Sequence, residues 1–315
     1  MEKESYDFII IGAGVTGMAA AMYGARLGLK TVCFGTSSSA EMPIGGVITT
    51  TNVVENYPGF IRLTGTELAD KIRDHALSYD LVSIRDEKVV AIEKKKIGFM
   101  VKTGSGVYEG RALLFATGTT WRKLEVKGSK GFENRGVAYC ALCDAPMFKK
   151  KIVAVVGGSD SAAKDALVLA EHAAAVYIIY RGKKLRAEPV TMKRVEQSKK
   201  ITVITETNVV EVRGEKLVNS VVLDRAYEGS RELALQGLFV AIGHIPLSAL
   251  AMKLGVDTNE KGEIVLDHKT SSTSVPGVFA AGDVADKPFK QAITGVAEGC
   301  TAAYSAYEYI TKSSL

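Results

Sequence analysis

Four cysteines, four histidines and one tryptophan are few for 315 residues, and these scarcities remove whole classes of protein. So few cysteines exclude a small scaffold stapled by disulfides. No second C-x-x-C and no paired-histidine motif accompanies the one C-x-x-C present, so a zinc centre would lack half its ligands. Long apolar runs are missing too. Phe8 to Ile11 stops at Gly12, and the apolar stretches Ala166–Ala170 and Val176–Ile179 are separated by Glu171 and His172. All fall short of the roughly 20 residues of a membrane span. The N-terminal run also follows Glu4 and Asp7 instead of the basic flank of a signal peptide. A cytoplasmic protein with no membrane partner is expected. The net charge of +5 is modest, and no nucleic-acid partner is expected. The middle stretch 119–244 holds 21 Lys plus Arg against 14 Asp plus Glu, a surplus that suits a phosphorylated ligand or an acidic partner as well as a solvated surface.

What is present is two strand–glycine turn–helix units. The first runs from Tyr6–Ile11 through Gly12-x-Gly14-x-x-Gly17 into the Ala-rich stretch Met18–Leu29, with a second strand at Thr31–Phe34. In such a turn the first glycine allows the tight bend, the second admits a pyrophosphate to the backbone, and the third lets helix and strand pack. The acidic residue that usually follows about 20 positions on is missing, since the second strand runs into Gly35-Thr36-Ser37. The later unit has strand Ile152–Val156, turn Gly157-Gly-Ser159-Asp-Ser-Ala162, a helix to Ala170 and strand Ala175–Tyr180.

Apolar runs closing on Gly118 and Gly243 bracket the later unit. This predicts an α/β protein with two Rossmann-like dinucleotide-binding domains of three-layer ββα type, the second inserted into the first. Residues 1–118 and 245–315 form the discontinuous FAD-binding domain, and 119–244 the pyridine-nucleotide-type domain. Gly118 and Gly243 suit hinges as well as strand ends. Short antiparallel strands are expected at Glu87–Glu93 with Gly98–Thr103, and at Thr207–Val212 with Asn219–Asp224. The stretch Val275–Asp283, a strand closing on Gly-Asp, followed by a helix from about Gln291, favours FAD over NAD at the first turn. Asp283 is placed to meet a ribityl hydroxyl.

Cys140 and Cys143 lie on one turn just before the later unit, followed by Asp144. In a reducing compartment such a pair reads as catalytic or metal-binding before it reads as a structural staple. A helix N-terminus beneath it would stabilise a thiolate. Cys33 and Cys300 read as packing residues, and Trp121 is assigned no role.

Over nearly its whole length the chain resembles the low-molecular-weight thioredoxin reductases. The resemblance is carried by Gly12-x-Gly14-x-x-Gly17, Thr49–Thr51, Glu55-Asn-Tyr-Pro-Gly59, Ala116-Thr-Gly118, Cys140-x-x-Cys143-Asp144, Val275–Asp283 and Gln291–Thr294. It implies a homodimer in which a nicotinamide dinucleotide reduces FAD, FAD reduces the disulfide, and the dithiol reduces thioredoxin or a thioredoxin-like protein. Cys143 then faces the flavin, Cys140 attacks the partner, and Asp144 moves the proton. Gly12, Gly14, Gly17, Asn56, Asp283, Gln291 and Ala292 would hold FAD. Gly157, Ser159, Ala162, Arg181 and Arg186 would hold the nicotinamide dinucleotide.

The chain departs from that family at Ser159, where the second glycine of G-x-G-x-x-A belongs. It departs again at Gly182, where H-R-R-x-x-x-R has its second arginine, and at Val47 in Gly45-Gly-Val-Ile48, where the family has glutamine. Lys183 and Lys184 keep the loop after the later unit positive, although lysine lacks arginine's planar fork. NADPH is the first choice of donor, followed by NADH and then by reduced ferredoxin or a deazaflavin. A small-molecule dithiol oxidase on the same scaffold and a flavin redox sensor without turnover are the competing functions.

Overall fold

The computed structural model describes residues 4–37, 44–51 and 53–312. The chain divides into two compact units, Met1–Thr120 with Ile245–Leu315, and Trp121–His244.

The first unit starts with β1 (Glu4–Ile11), whose alternate residues face opposite ways. Phe8 and Ile10 join a core with helix α1 (Val15–Arg26) and α2 (Gly65–Leu77). Ile9 and Ile11 join a core on the other face. Both faces are covered, which explains a strand with almost no polar alternation. Helix α1 begins at Val15, three residues before the expected start, because Gly14 in the turn is already its N-cap. Thr64 and Glu67 close a reciprocal capping box at the start of α2.

Strands β2 (Thr31–Gly35), β3 (Val82–Asp86), β4 (Val89–Lys94), β5 (Phe99–Thr103) and β6 (Val107–Phe115) follow in this unit. Their order in the sheet is β3-β2-β1-β6-β5-β4. The first four pair in parallel, and β4 and β5 form the antiparallel edge. That edge hairpin is shifted by a residue or two from the expected one.

The chain leaves through β7 (Thr119–Trp121) and builds the second unit from β8 (Val137–Ala138), α3 (Ala141–Asp144), β9 (Ile152–Val156), α4 (Asp160–His172), β10 (Ala175–Ile179), α5 (Pro189–Gln197) and β11 (Ile201–Ile204). An antiparallel sheet of β12 (Val209–Gly214), β13 (Val218–Tyr227) and β14 (Ser230–Ala234) comes next, then β15 (Gly237–Val240). The parallel sheet has the order β11-β10-β9-β15-β8. Val153 and Val155 of β9 pack on Ala162, Ala166 and Leu169 of α4. Ala154 faces the opposite core, with Val212, Val221 and Leu223 of the antiparallel sheet. Each unit is therefore a parallel sheet with helices on one side and antiparallel strands associated with the other, the expected two Rossmann-like domains with the second inserted into the first.

The return strand β16 (His244–Pro246) pairs with β7. After α6 (Ala249–Lys253), β17 (Val278–Ala280) adds to β6 in parallel, and α7 (Ala292–Lys312) closes the first unit. Helix α7 lies tightly on α1. A Cβ at Gly299 would sit 2.4 Å from the Thr16 carbonyl oxygen, so only glycine allows that approach. Among the described residues, no helix is long and apolar enough to cross a membrane.

Burial pushes the Asp165 carboxyl, on α4, up to about 7. The unfolded chain titrates near the usual ~3.9, so between those values the folded state binds the extra proton and stability falls as pH rises. Asp165→Asn should therefore raise the urea midpoint at pH 8, by roughly 1–3 kcal/mol of stability, and leave it unchanged at pH 4. Parallel pH–stability curves for parent and variant would contradict this.

Candidate functional site

Three features gather at the carboxyl ends of the first unit's parallel strands, where open α/β sheets present their ligand sites. After β1 comes the first glycine turn. Gly12 has φ +113°, and a Cβ there would lie 2.2 Å from the Ala116 carbonyl oxygen. A Cβ at Gly17 would lie 1.9 Å from the Gly12 carbonyl oxygen. The protein's own packing demands both glycines. Gly14 is different: the nearest atom to its Cβ position is 3.5 Å away, an ordinary contact. Nothing among the described residues requires glycine there. As N-cap of α1 it offers no side-chain hydrogen bond, and the first turn of α1 carries no acidic residue. The helix N-terminus thus keeps its N–H groups and partial positive charge for an anion.

After β2, Gly45 and Gly46 turn against this bend with φ +103° and +77°. Gly45 donates its N–H to the Ala13 carbonyl at 2.8 Å and bridges Gly14. A Cβ on Gly46 would meet Gly14 Cα at 3.0 Å. In the sequence this pair stands immediately before Val47, where the family has glutamine. Two adjacent glycines beside the turn were the available signal.

After β17, Gly282–Val284 forms a 3-10 turn holding Asp283. The Gly282 N–H donates to Glu298 Oε2 at 2.9 Å, and Lys290 Nζ donates to the Asp283 carbonyl at 2.8 Å and to Glu263. Asn56 Nδ2 donates to Gln291 Oε1 at 3.0 Å, joining two candidate residues 235 positions apart. Gln291 immediately precedes α7, with Ala292 its first residue. Asp86, at the end of β3, is a further acid near this site. It accepts from the Ser37 N–H at 2.8 Å and from the Ser37 hydroxyl, so a carboxylate does stand beside the loop after β2, supplied by the neighbouring strand. These residues fit FAD: an open helix N-terminus for the pyrophosphate, a second helix start at Ala292, and a carboxylate at Asp283.

In the second unit, β8 delivers the chain to Cys140 at the carboxyl edge of the sheet. Cys140 and Cys143 are disulfide-bonded, with Cα atoms 5.4 Å apart. Cys140 is the N-cap of the one-turn helix α3, and its Sγ accepts the Cys143 N–H at 3.2 Å. Pro146 then takes the chain into a 3-10 turn. Cys143 is exposed and Cys140 half-buried. Burial raises the pKa of the half-buried Asp144 carboxyl, so it keeps a proton to higher pH than an ordinary carboxylate. Among the described residues no His, Cys, Asp and Glu cluster suits a metal ion.

The other two cysteines are packing residues in this fold. Cys33 is fully buried against the Gly12 carbonyl at 3.5 Å, and Cys300 is half-buried on α7. Burial pushes the Cys300 thiol up to about 11, and that of Cys33 higher still, away from the reactive thiolate.

The second glycine turn lies after β9. Gly157 repeats the role of Gly12, since a Cβ there would lie 2.2 Å from the Ala241 carbonyl oxygen. Ser159 is the N-cap of α4, and its Oγ accepts the Ala162 N–H at 3.5 Å. Arg181, Lys183, Lys184 and Arg186 are all exposed on the loop after β10.

The pyridine nucleotide-disulphide oxidoreductase family matches residues 6–299. The chain is 38% identical to a thioredoxin reductase of Treponema pallidum, over 98% of each protein. It is also 38% identical to a bifunctional thioredoxin reductase/thioredoxin of Mycobacterium leprae, covering 98% of this chain and 66% of that protein. The crystal structure of Lactococcus lactis thioredoxin reductase superimposes with a TM-score of 0.90 at 35% identity, over 98% of this chain and 99% of that one. Both glycine turns, the disulfide and the closing Gly-Asp lie inside the matched span. The chain therefore belongs to the pyridine nucleotide-disulphide oxidoreductases and, within them, to the low-molecular-weight thioredoxin reductases.

Proposed function

We propose that the chain is an FAD-dependent thioredoxin-disulfide reductase that passes an electron pair through Cys140 and Cys143 to a thioredoxin-like protein. The observation that carries this reading is the Cys140–Cys143 disulfide at a surface turn, followed at once by a carboxyl group whose burial favours its protonated form. FAD held by Gly12, Gly14, Gly17, Asn56, Asp283, Gln291 and Ala292 would supply the electrons that reduce the disulfide. Two copies of the chain in a reducing, cytoplasmic compartment are the proposed working unit.

The rest follows from thiol chemistry. In the dithiol form the Cys143 N–H that points at Cys140 Sγ favours negative charge on that sulfur. Cys143 is the more exposed of the two, but the hydrogen bond makes Cys140 the better-stabilised thiolate, and nucleophilic attack is assigned to it. Cys140 Sγ bonds to one partner sulfur as the partner's S–S bond breaks, and the displaced thiolate takes up a proton. Cys143, as thiolate, then attacks Cys140 Sγ, reforming the Cys140–Cys143 bond and expelling the partner sulfur joined to Cys140 as a thiolate that is protonated in turn. Asp144 holds a proton at its carboxyl oxygen beside the pair.

With Cys143→Ser, dithionite-reduced protein mixed with oxidised thioredoxin should accumulate a mixed disulfide at Cys140, visible on a non-reducing gel and located by peptide mass. A stable adduct in Cys140→Ser and none in Cys143→Ser would reverse the two roles.

Because burial raises the Asp144 pKa, the proton-bearing form is present below that pKa and lost as pH rises through it. Asp144→Asn should slow thioredoxin reduction roughly hundredfold and remove that inflection from the pH–rate profile, with FAD content unchanged. An unaltered profile would show that Asp144 handles no proton in this reaction.

A further inference from the structure

The chain contains one structural device twice, which allows a comparison within a single molecule. Gly14 and Ser159 are corresponding N-caps with nearly the same backbone, φ −79° and ψ 178° against φ −87° and ψ 174°. Each forms an isolated parallel bridge to the loop after the next strand, Gly14 to Gly45 and Ser159 to Arg186. The preceding glycine in each turn is required by a carbonyl 2.2 Å from its Cβ position. The frames match, and the chemistry at the helix N-termini does not.

Among the described residues no side chain caps α1, whereas Ser159 caps α4. The Ser159 hydroxyl takes one of the free N–H groups of α4, at Ala162. Asp160 puts a carboxylate in the first helical position, where a pyrophosphate would bring like charge. That carboxylate is held in place: it accepts the Glu188 N–H at 2.9 Å and pairs with Lys164 at 2.6 Å. Burial opposes its charge, but these partners keep its pKa below the ordinary value. Lys164 lies 3.6 Å from Glu188 as well, so it already serves two carboxylates.

Tyr180, at the end of β10, adds a steric obstacle. A Cβ at Gly158 would fall 2.3 Å from its ring, and one at Gly182 would fall 2.6 Å from it. The ring therefore lies against both the glycine turn and the loop that would read a 2′-phosphate. It leaves no room at 182 for the arginine that the resemblance calls for.

We infer that the second unit keeps the dinucleotide-binding frame but rejects nicotinamide dinucleotides, through Ser159, Asp160 and the Tyr180 ring packed between Gly158 and Gly182. The Ser159, Ala162, Arg181 and Arg186 set does not fit NADPH or NADH. Arg186 meets the turn through its backbone, and the exposed cations at 181, 183, 184 and 186 leave the Ser159 cap and the Asp160 carboxylate in place. This deepens the proposed reductase function by excluding one donor class, and its test is independent of turnover.

The test is calorimetric titration of the purified flavoprotein with NADPH and with NADH, alongside the variant Ser159→Gly/Asp160→Asn/Tyr180→His/Gly182→Arg. The parent should show no saturable binding of either nucleotide up to about 1 mM, the upper end of usual working affinities. The variant should bind NADPH at least roughly tenfold more tightly than the parent, as expected when a half-buried like charge and a missing fork are both corrected. Micromolar binding of either nucleotide by the parent would overturn the inference. A correctly folded variant, checked by its flavin spectrum and melting temperature, that gains no binding would overturn the assignment to these side chains. Reduction of thioredoxin by dithionite-reduced parent protein reports on the reductase reading separately, so failure of one is not mistaken for failure of the other.

Discussion

A helix N-terminus presents N–H groups that must find partners, and how each unit meets that requirement organises the rest of the molecule. Behind both turns the strand, the helix and one obligatory glycine are locked by contacts too close for any side chain. Gly12 and Gly157 each face a carbonyl oxygen that a Cβ would strike. With the backbone path fixed, the identity of the next-but-one residue decides the outcome. Gly14 gives the α1 N-terminus no side-chain cap, while Ser159 caps one N–H of α4 and Asp160 puts a carboxylate in its first turn.

The disulfide depends on the same architecture. In the second unit β8 is an edge strand beside β15, so its carboxyl end reaches the ligand side of the sheet and then turns into α3. One turn of helix suffices to set Cys140 as N-cap and to bring the Cys143 N–H onto its sulfur. Asp144 closes that turn, half-buried, with burial acting on its carboxyl. The chemistry of the pair is thus local to a few residues, whereas its placement is a product of sheet order.

Much of this is legible in the sequence because it is local. The apolar run of β1, the glycine spacing and the C-x-x-C are short-range patterns, and the fold class and insertion follow from their order. What escapes the sequence depends on contacts across the chain. The meeting of Asn56 with Gln291, and of Ser37 with Asp86, joins residues far apart in the chain. Gly45 and Gly46 gain meaning only once they are seen against Gly14. At the second turn the substitutions at 159 and 182 are visible in the sequence, but the Tyr180 ring that crowds the Cβ positions of Gly158 and Gly182 is a tertiary fact.

The N-cap residue is the first of the differences that separate an uncapped helix N-terminus at α1 from a capped one at α4. Its effect is tested most directly by giving the first turn the residue of the second. Gly14→Ser has room for its Cβ in the fold, so the protein should remain folded with an unchanged far-ultraviolet circular dichroism spectrum while losing most of its FAD, read from the visible absorbance per chain after gel filtration. A Gly14→Ser protein that keeps its full complement of FAD would contradict the account.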